Sequence, residues 1–145
     1  MISYLQNNDI FFVHTHGVKT GFKISTSGTT YIYMNDLTGI NLSNLKLSVL
    51  MTCNTGLDFS PSHITSNSPV NIVEKMVICG AETVVGFNDE TIVSDCNKFA
   101  PDLTQKLVSN GLSIEDAIDS IDYFWYTKNM ANIAVIGGNT DNTIR

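Results

Sequence analysis

The sequence predicts a three-layer α/β domain whose central sheet is mostly parallel. Four strand-like apolar segments, over residues 10–13, 47–52, 82–87 and 133–136, alternate with segments of helical periodicity, and this order is typical of that fold class. The first segment, IFFV, is apolar at every position, as expected for a strand that is covered on both faces. A chain of 145 residues is long enough for one such domain with a substantial core.

The segments around the second strand predict a hairpin before it and a functional loop after it. In FKIST and TTYIYM, β-branched and aromatic residues flank Ser27-Gly28, which predicts a β-hairpin at the edge of the sheet. A polar link over residues 35–44 leads to the strand. Residues 57–69 then form a turn-rich segment, and its length favours a role in function over simple connection.

Two helices are predicted in the middle of the chain. Ser68-Pro69 has the form of an N-cap followed by a first helical turn, and Gly80 is suited to end that helix. Apolar residues at helical spacing over residues 96–107 predict a longer helix. Pro101 lies inside this pattern, so we expect the helix to be kinked or split there.

The ends of the chain carry weaker signals. Residues 1–8 read as a short helix or lead-in, with Ile2, Leu5 and Tyr4 on its buried side. Ser113 begins a capping box, and the apolar face of the helix that follows extends to Trp125. We expect the tail after Gly138 to be frayed.

Composition limits the classes of partner. The chain is 43% hydrophobic and carries a net charge of -6, so attraction to nucleic acid or to an anionic membrane is disfavoured, and a basic peptide or protein surface is the more natural partner. No apolar run of about 18 residues and no signal-peptide pattern is present. Three cysteines form no regular framework, which favours a reducing compartment, with the cytoplasm as the expected location.

Two strand ends carry groups suited to nucleophilic catalysis. His16 follows the first strand and Cys53 follows the second, each with small residues after it. In an open α/β sheet, functional groups collect at the carboxyl ends of the strands, so the two side chains meet if their strands are parallel neighbours. A thiol beside an imidazole can attack an acyl carbon. The backbone N–H groups of Gly17 and Cys53 are then the natural oxyanion donors.

These two segments also point to a family. FFVHTHG followed by SVLMTCNTG resembles the caspase-like cysteine peptidases, most closely their CHAT and gingipain-like branches. In those proteins a strand ending in His-Gly is followed by one ending in a small residue, Cys, x, Thr or Ser, and Gly. The resemblance implies a caspase-like fold for residues 1–145 as a single domain, with His16 as general base, Cys53 as nucleophile and peptide-bond hydrolysis as the reaction.

The resemblance continues beyond the two motifs and also has departures. It covers about residues 9–138, including CGAETVVG. Members of the family that cleave after basic residues carry an aspartate two positions before the cysteine, where this chain has Met51. Either the primary specificity of this chain is not for Arg or Lys, or Asp89 and Glu90 provide the acidic groups of the substrate pocket. The first strand and helix of the family have no counterpart before Asp9. The chain is therefore either a complete domain or part of a larger protein. In the second case, the rest of that protein or another chain would complete the sheet.

Each candidate residue also has a structural interpretation. Cys53 could be a buried structural thiol, and Cys79 and Cys96, which lie in apolar helical patterns, are interpreted as core cysteines. His14 is expected to pack against its neighbours or to contact the residues that hold the catalytic groups, and His63 is expected to be solvated.

The pair His14 and His16 also permits a rival metal-site hypothesis. A metal site needs further ligands, and the Asp-His continuation expected in such enzymes is absent. We therefore predict no metal and no organic cofactor.

The leading hypothesis is a cysteine endopeptidase with a Cys53 and His16 dyad that acts on a protein or peptide substrate, with no nucleic acid or membrane partner. The alternatives are a caspase-like module that binds a peptide or protein without turnover, because fold does not guarantee activity, and a generic α/β ligand-binding domain.

Overall fold

The computed structural model describes residues 1–25 and 29–144, and its central feature is a four-stranded sheet. The strands of this sheet are β1 (Ile10–His14), β5 (Leu47–Met51), β6 (Thr83–Phe87) and β7 (Ala134–Gly138), in that spatial order. β1 and β6 both run parallel to β5, whereas β7 is antiparallel to β6. The predicted mostly parallel sheet is confirmed.

The pairing of β1 with β5 brings the two candidate turns together. The register runs from Ile10 opposite Leu47 to His14 opposite Met51. Since the strands are parallel, the chain leaves both at the same edge of the sheet, and the next few residues of each strand face one another across that edge. The predicted crossover between His16 and Cys53 is therefore present.

A second, three-stranded antiparallel sheet lies between β1 and β5 in the chain. It consists of β2 (Gly17–Val18), β3 (Gly21–Lys23) and β4 (Tyr31–Tyr33). The predicted hairpin thus exists as β3 and β4, although its expected turn at Ser27-Gly28 lies outside the described residues. β2 begins directly after His16, so the small sheet continues the chain from the histidine turn.

Helices cover both faces of the central sheet. They are α1 (Ile2–Asn7), α2 (Pro61–Thr65), α3 (Ile72–Ile78), α4 (Val93–Val108), α5 (Ile114–Asp119) and α6 (Met130–Ile133). α4 and α5 pack on the β5 face that carries Leu47 and Val49, while α3 packs on the opposite face with Leu50. Alternate β5 residues therefore belong to different cores, which gives the predicted three layers. None of the helices described is long and apolar enough to cross a membrane.

The segment expected to be a loop contains α2, and the next helix starts later than predicted. Pro61 is the first residue of α2, and α3 begins at Ile72 instead of at Ser68-Pro69. The cause is Asn71, whose side chain accepts a 2.9 Å hydrogen bond from the Glu74 amide and so provides the N-cap.

Three further predictions need correction. α4 was expected to be kinked or split at Pro101, and it is not split, since the helix runs unbroken from Val93 to Val108 with Pro101 on its exposed side. The helix after Ser113 ends at Asp119, and although Ile121 beyond it is still buried, Trp125 is 74% exposed. The tail is not frayed throughout, since the buried Asn142 amide donates 2.9 Å to the Lys46 carbonyl.

β1 is less buried than predicted because it is the edge strand of the central sheet. Phe11 is buried, but Ile10 is 42% exposed, and Phe12 and Val13 are half-buried. The outer edge of β1 pairs with no strand among the described residues. Tyr4 in the adjacent α1 is likewise exposed, and only Leu5 of that helix is buried.

Candidate active site

The turn that carries Cys53 is built into the core. Cys53 comes two residues after the end of β5, between Thr52 and Thr55. These two threonines are fully buried and their hydroxyl oxygens lie 3.2 Å apart. Asn54 adopts a left-handed backbone conformation with φ 59°, which asparagine tolerates better than most residues.

The neighbouring strand holds this turn from the other side. The Asn54 amide donates to the Asp89 carbonyl at 3.2 Å, and the Gly56 amide donates to the Phe87 carbonyl at 2.9 Å. Gly56 has no room for a side chain because a Cβ atom would overlap Val135. The backbone around Cys53 is therefore tied to β6 and β7, and the position of the thiol is set by the central sheet.

The turn that carries His16 is more exposed and is held mainly through its backbone. The His16 side chain is exposed, and its carbonyl accepts a 2.8 Å hydrogen bond from the Lys23 amide of β3. Gly17 packs directly against the cysteine turn, because a Cβ atom there would lie 2.6 Å from Thr52 Cβ and 2.8 Å from the Cys53 carbonyl oxygen. Glycine is thus required for the close approach of the two turns.

A groove of about 590 Å³ opens over these turns. It contains both members of the predicted dyad, His16 and Cys53. Its lining residues are Met1, Val13, His14, Thr15, His16, Lys23, Ile24, Ser25, Cys53, Thr91 and Val93. The groove is large enough to hold several atoms of a peptide around the thiol.

Thr91 is the residue in closest polar contact with the Cys53 sulfur. The Thr91 amide donates to Sγ at 3.4 Å, and the Thr91 hydroxyl and carbonyl oxygens lie 3.7 Å and 3.8 Å from it. No hydrogen bond joins Sγ to the His16 ring within residues 1–25 and 29–144. Sequence reasoning missed Thr91, although its place in the turn after a parallel strand was an available signal.

No hydrogen bond from the backbone amide of Cys53 is found within residues 1–25 and 29–144. The amides on either side of it are occupied, since Thr52 N donates to the Leu50 carbonyl at 2.8 Å and Asn54 N to Asp89. In an antiparallel pair of strands, hydrogen-bonded and non-hydrogen-bonded residue pairs alternate. His16 and Lys23 form a hydrogen-bonded pair, so the next pair, Gly17 and Phe22, is not hydrogen-bonded and the Gly17 amide points away from β3.

The turn after β6, which carries Asp89 and Glu90, lies beside the site but not in the lining of the groove. Lys128 Nζ contacts Asp89 Oδ2 at 3.1 Å and donates to the Glu90 carbonyl at 2.8 Å. The hydrogen bond from the Glu90 amide, together with Lys128, lowers the pKa of Asp89 below its usual range. Both carboxylates are exposed, and the charge of Asp89 is offset by its partner.

The buried carboxylate of Asp95 stabilises the turn that carries Asp89 and Glu90. Asp95 is fully buried in α4, and its two oxygens accept from the Thr127 amide at 2.8 Å and the Lys128 amide at 2.9 Å. These bonds fix the backbone of Lys128, whose side chain in turn holds residues 89 and 90. Asp95 therefore braces the turn that presents Thr91 to the thiol.

The other predicted site residues lie elsewhere. Met51 is only 4% exposed and packs in the core beneath α4, so little of its surface is available to a substrate. Cys96 is a core cysteine, and burial raises its pKa. Burial also raises the pKa of Cys79, which donates from Sγ to the Leu37 carbonyl at 3.2 Å.

The remaining histidines differ in their environments. His14 is exposed and lines the groove at the level of Met51. His63 was expected to be solvated, but its Nδ1 lies 2.9 Å from Oε1 of the fully buried Glu74. Long-range packing of α2 on α3 brings this pair together, which no local pattern indicates. Within the described part of the chain, no three His, Cys, Asp or Glu side chains group as a metal site would require.

Comparisons with known proteins agree with this architecture. No protein-family model matches the chain, and neither does any curated protein sequence. Among solved structures, the crystal structure of the Arg-specific cysteine proteinase gingipain R matches with a TM-score of 0.72 at 13% sequence identity. The match covers 99% of this chain and 35% of that proteinase. The chain therefore shares the mixed α/β fold of the matched part of that structure.

Proposed function

We propose that this chain is a cysteine peptidase in which Cys53 is the nucleophile and His16 the general base. The observation that carries the proposal is the packing of Gly17 against Thr52 and the Cys53 carbonyl, which holds the histidine and cysteine turns at one groove. The fold shared with gingipain R, a cysteine proteinase, supports the same assignment. The motifs FFVHTHG and SVLMTCNTG favour the CHAT and gingipain-like branch.

The reaction follows from the chemistry of these groups. His16 takes the thiol proton, the Cys53 sulfur forms a bond to the substrate carbonyl carbon, and the carbonyl electron pair moves onto oxygen. The amides of Cys53 and Gly17 stabilise this oxyanion. When the C–N bond breaks, the His16 imidazolium protonates the departing amine. Water, deprotonated by His16, then hydrolyses the thioester and restores the thiol.

The partner of this site is a peptide or protein segment in the groove. The assignment of Met51, Asp89 and Glu90 as substrate-binding residues remains a prediction. None of these three lines the groove, whereas Thr91, which contacts the thiol, does. This chain spans 35% of gingipain R, and the exposed edge of β1 offers a place where further residues or another chain would extend the sheet. The three free thiols support a reducing compartment such as the cytoplasm.

A second candidate function is a peptide-binding module without turnover. The contact between the Cys53 sulfur and Thr91, instead of the His16 ring, favours it. Under this alternative the groove binds a peptide, but no covalent intermediate forms.

Turnover of a panel of fluorogenic peptides separates the two functions. We expect hydrolysis that is lost in Cys53→Ala, strongly reduced in His16→Ala, retained in the matched control Cys79→Ala and unaffected by EDTA. Binding without hydrolysis, or hydrolysis that survives Cys53→Ala, would overturn the peptidase proposal.

A further inference from the structure

The charged groups that line the groove all carry or can acquire positive charge. They are Lys23, His14, His16 and the amino group of Met1, and no Asp or Glu belongs to the described lining. This is notable because the chain as a whole has a net charge of -6. The described lining of the groove therefore contains only groups of positive or potentially positive charge, although the chain as a whole is acidic.

Lys23 is the permanent cation in this lining. Its amide donates to the His16 carbonyl at 2.8 Å, so its backbone is fixed beside the histidine turn. Phe22 before it is fully buried in the core, and side chains alternate along a strand, so Lys23 is directed to the other face of the small sheet.

Lys23 also differs from lysines that are already paired. Lys19 lies 2.6 Å from Asp58, Lys46 lies 3.5 Å from Asp9, and Lys128 lies 3.1 Å from Asp89. No carboxylate in residues 1–25 and 29–144 lies within 4.0 Å of the Lys23 ammonium group. Lys23 as a residue is half-buried and lines the groove, so its charge is available to a carboxylate of a ligand.

The nearest acidic candidates do not cancel this charge. Asp89 is held by Lys128 and by the Glu90 amide, and neither Asp89 nor Glu90 lines the groove. A basic side chain entering the groove would thus meet Lys23 without a compensating carboxylate.

We propose that the groove selects a peptide that carries a carboxylate close to the scissile bond, with Lys23 as the specificity-determining residue. This inference rests on the proposed function for turnover, but peptide binding tests it independently. The preference is opposite in sign to the Arg specificity stated for gingipain R. The carboxylate could be an Asp or Glu side chain or the C-terminus of a short peptide, since both present the same group to an ammonium.

Matched peptides that differ only in Glu, Gln or Lys at one position, scanned through the residues around the scissile bond, test the proposal. At the responsive position we expect kcat/KM to be about tenfold higher for Glu than for Gln, and lowest for Lys. Versions with an amidated C-terminus distinguish the two sources of carboxylate. If a side chain supplies the group, amidation leaves the order of the three peptides unchanged, and if the terminus supplies it, amidation lowers kcat/KM for all three.

Charge reversal provides the decisive comparison. Lys23→Glu should invert the order, so that the Lys peptide becomes the best substrate. Lys46→Glu changes the net charge equally but lies outside the groove lining, and it should leave the order unchanged. An unaltered order in Lys23→Glu, or the same change in both variants, would overturn the inference.

The same peptides should be titrated against Cys53→Ala by fluorescence anisotropy, with and without the Lys23→Glu change. The Glu peptide should bind most tightly to Cys53→Ala alone, and the order should invert when the change is added. This result would support the inference even if no peptide is hydrolysed and the proposed peptidase function fails. Equal binding of the three peptides that is also unaffected by C-terminal amidation, or tightest binding of the Lys peptide to Cys53→Ala, would refute it.

Discussion

The two turns that meet at the groove are held in different ways. The Cys53 turn is closed by a hydrogen bond between the Thr52 and Thr55 hydroxyls, backbone bonds tie it to the end of β6 and the turn that follows, and much of it is buried. The His16 turn is joined to β3 by one backbone bond and to the cysteine turn through Gly17, and its side chain is exposed. The difference indicates that the core positions the nucleophile, whereas the base lies on a more exposed turn that the Gly17 contact and a backbone bond to β3 hold in place.

Gly17→Ala tests the weaker of these two attachments and should have the largest effect on activity. The added Cβ atom would force the His16 turn away from Thr52. Because a displacement of about 1 Å can reduce catalysis by about 100-fold, we expect kcat/KM for a cleaved peptide to fall by that factor. Stability, measured by urea unfolding, should fall by only about 1–2 kcal/mol.

Gly39→Ala is the matched control for this experiment. Gly39 has a positive φ of 78° and open space around it, so an alanine there is strained by about 1–2 kcal/mol without touching the site. Its activity should match the parent. If Gly17→Ala were as active as Gly39→Ala, the contact with Thr52 would not be what positions His16.

Asp95→Ala tests the bracing on the cysteine side. Loss of this buried carboxylate leaves the Thr127 and Lys128 amides without acceptors, which should cost about 3 kcal/mol in the free energy of unfolding. Activity of the folded protein should fall by about tenfold, since the turn carrying Thr91 is loosened. Asp95→Asn, which keeps one acceptor, should lie between Asp95→Ala and the parent.

Glu74→Ala distinguishes this local bracing from general destabilisation. Glu74 is equally buried and accepts from the amides of Ser60 at 2.9 Å and Val70 at 2.7 Å, but it supports a segment outside the groove lining. We expect a comparable loss of stability with kcat/KM of the folded fraction unchanged. Equal losses of activity in Glu74→Ala and Asp95→Ala would show that the Thr91 turn has no special role.

Alkaline pH should weaken the bracing segment by a smaller amount. Burial, with the nearby Asp102, raises the pKa of Tyr126, and burial also raises that of Tyr123. A group whose pKa is raised on folding keeps its proton in the native state while the unfolded chain loses it, so stability falls as pH rises above about 10. The urea midpoint should drop between pH 8 and pH 11, and by less in Tyr126→Phe. An identical drop in Tyr126→Phe would contradict this assignment.

The sequence predicted the parts of the fold that depend on local signals. Buried parallel strands are continuous apolar runs, so β5 and β6 were recognisable, and the Ser113 cap was recognisable from its spacing. The predicted start of α3 was wrong because Asn71, and not Ser68, provides the N-cap of the helix. Which of the two residues acts as the cap depends on tertiary packing.

Only the two reactive residues of the candidate site, Cys53 and His16, could be predicted from the sequence. Strand ends indicated Cys53 and His16, but the contact of Thr91 with the sulfur and the bracing by Asp95 join residues more than 30 positions apart. Such pairs leave no periodic pattern in the sequence. Trp125 was misplaced for a related reason, because helical periodicity continues past the residue where the helix ends.

Alkylation of the individual cysteines tests the central claim most directly. Iodoacetamide labelling near pH 7, followed site by site with mass spectrometry, should modify Cys53 at least about ten times faster than Cys79 or Cys96, because burial keeps those two protonated. His16→Ala should slow the labelling of Cys53 itself, whereas His14→Ala, in the same groove, should leave the Cys53 rate unchanged. Equal rates at all three cysteines, or a Cys53 rate indifferent to His16→Ala, would contradict the assignment of a Cys53 and His16 dyad.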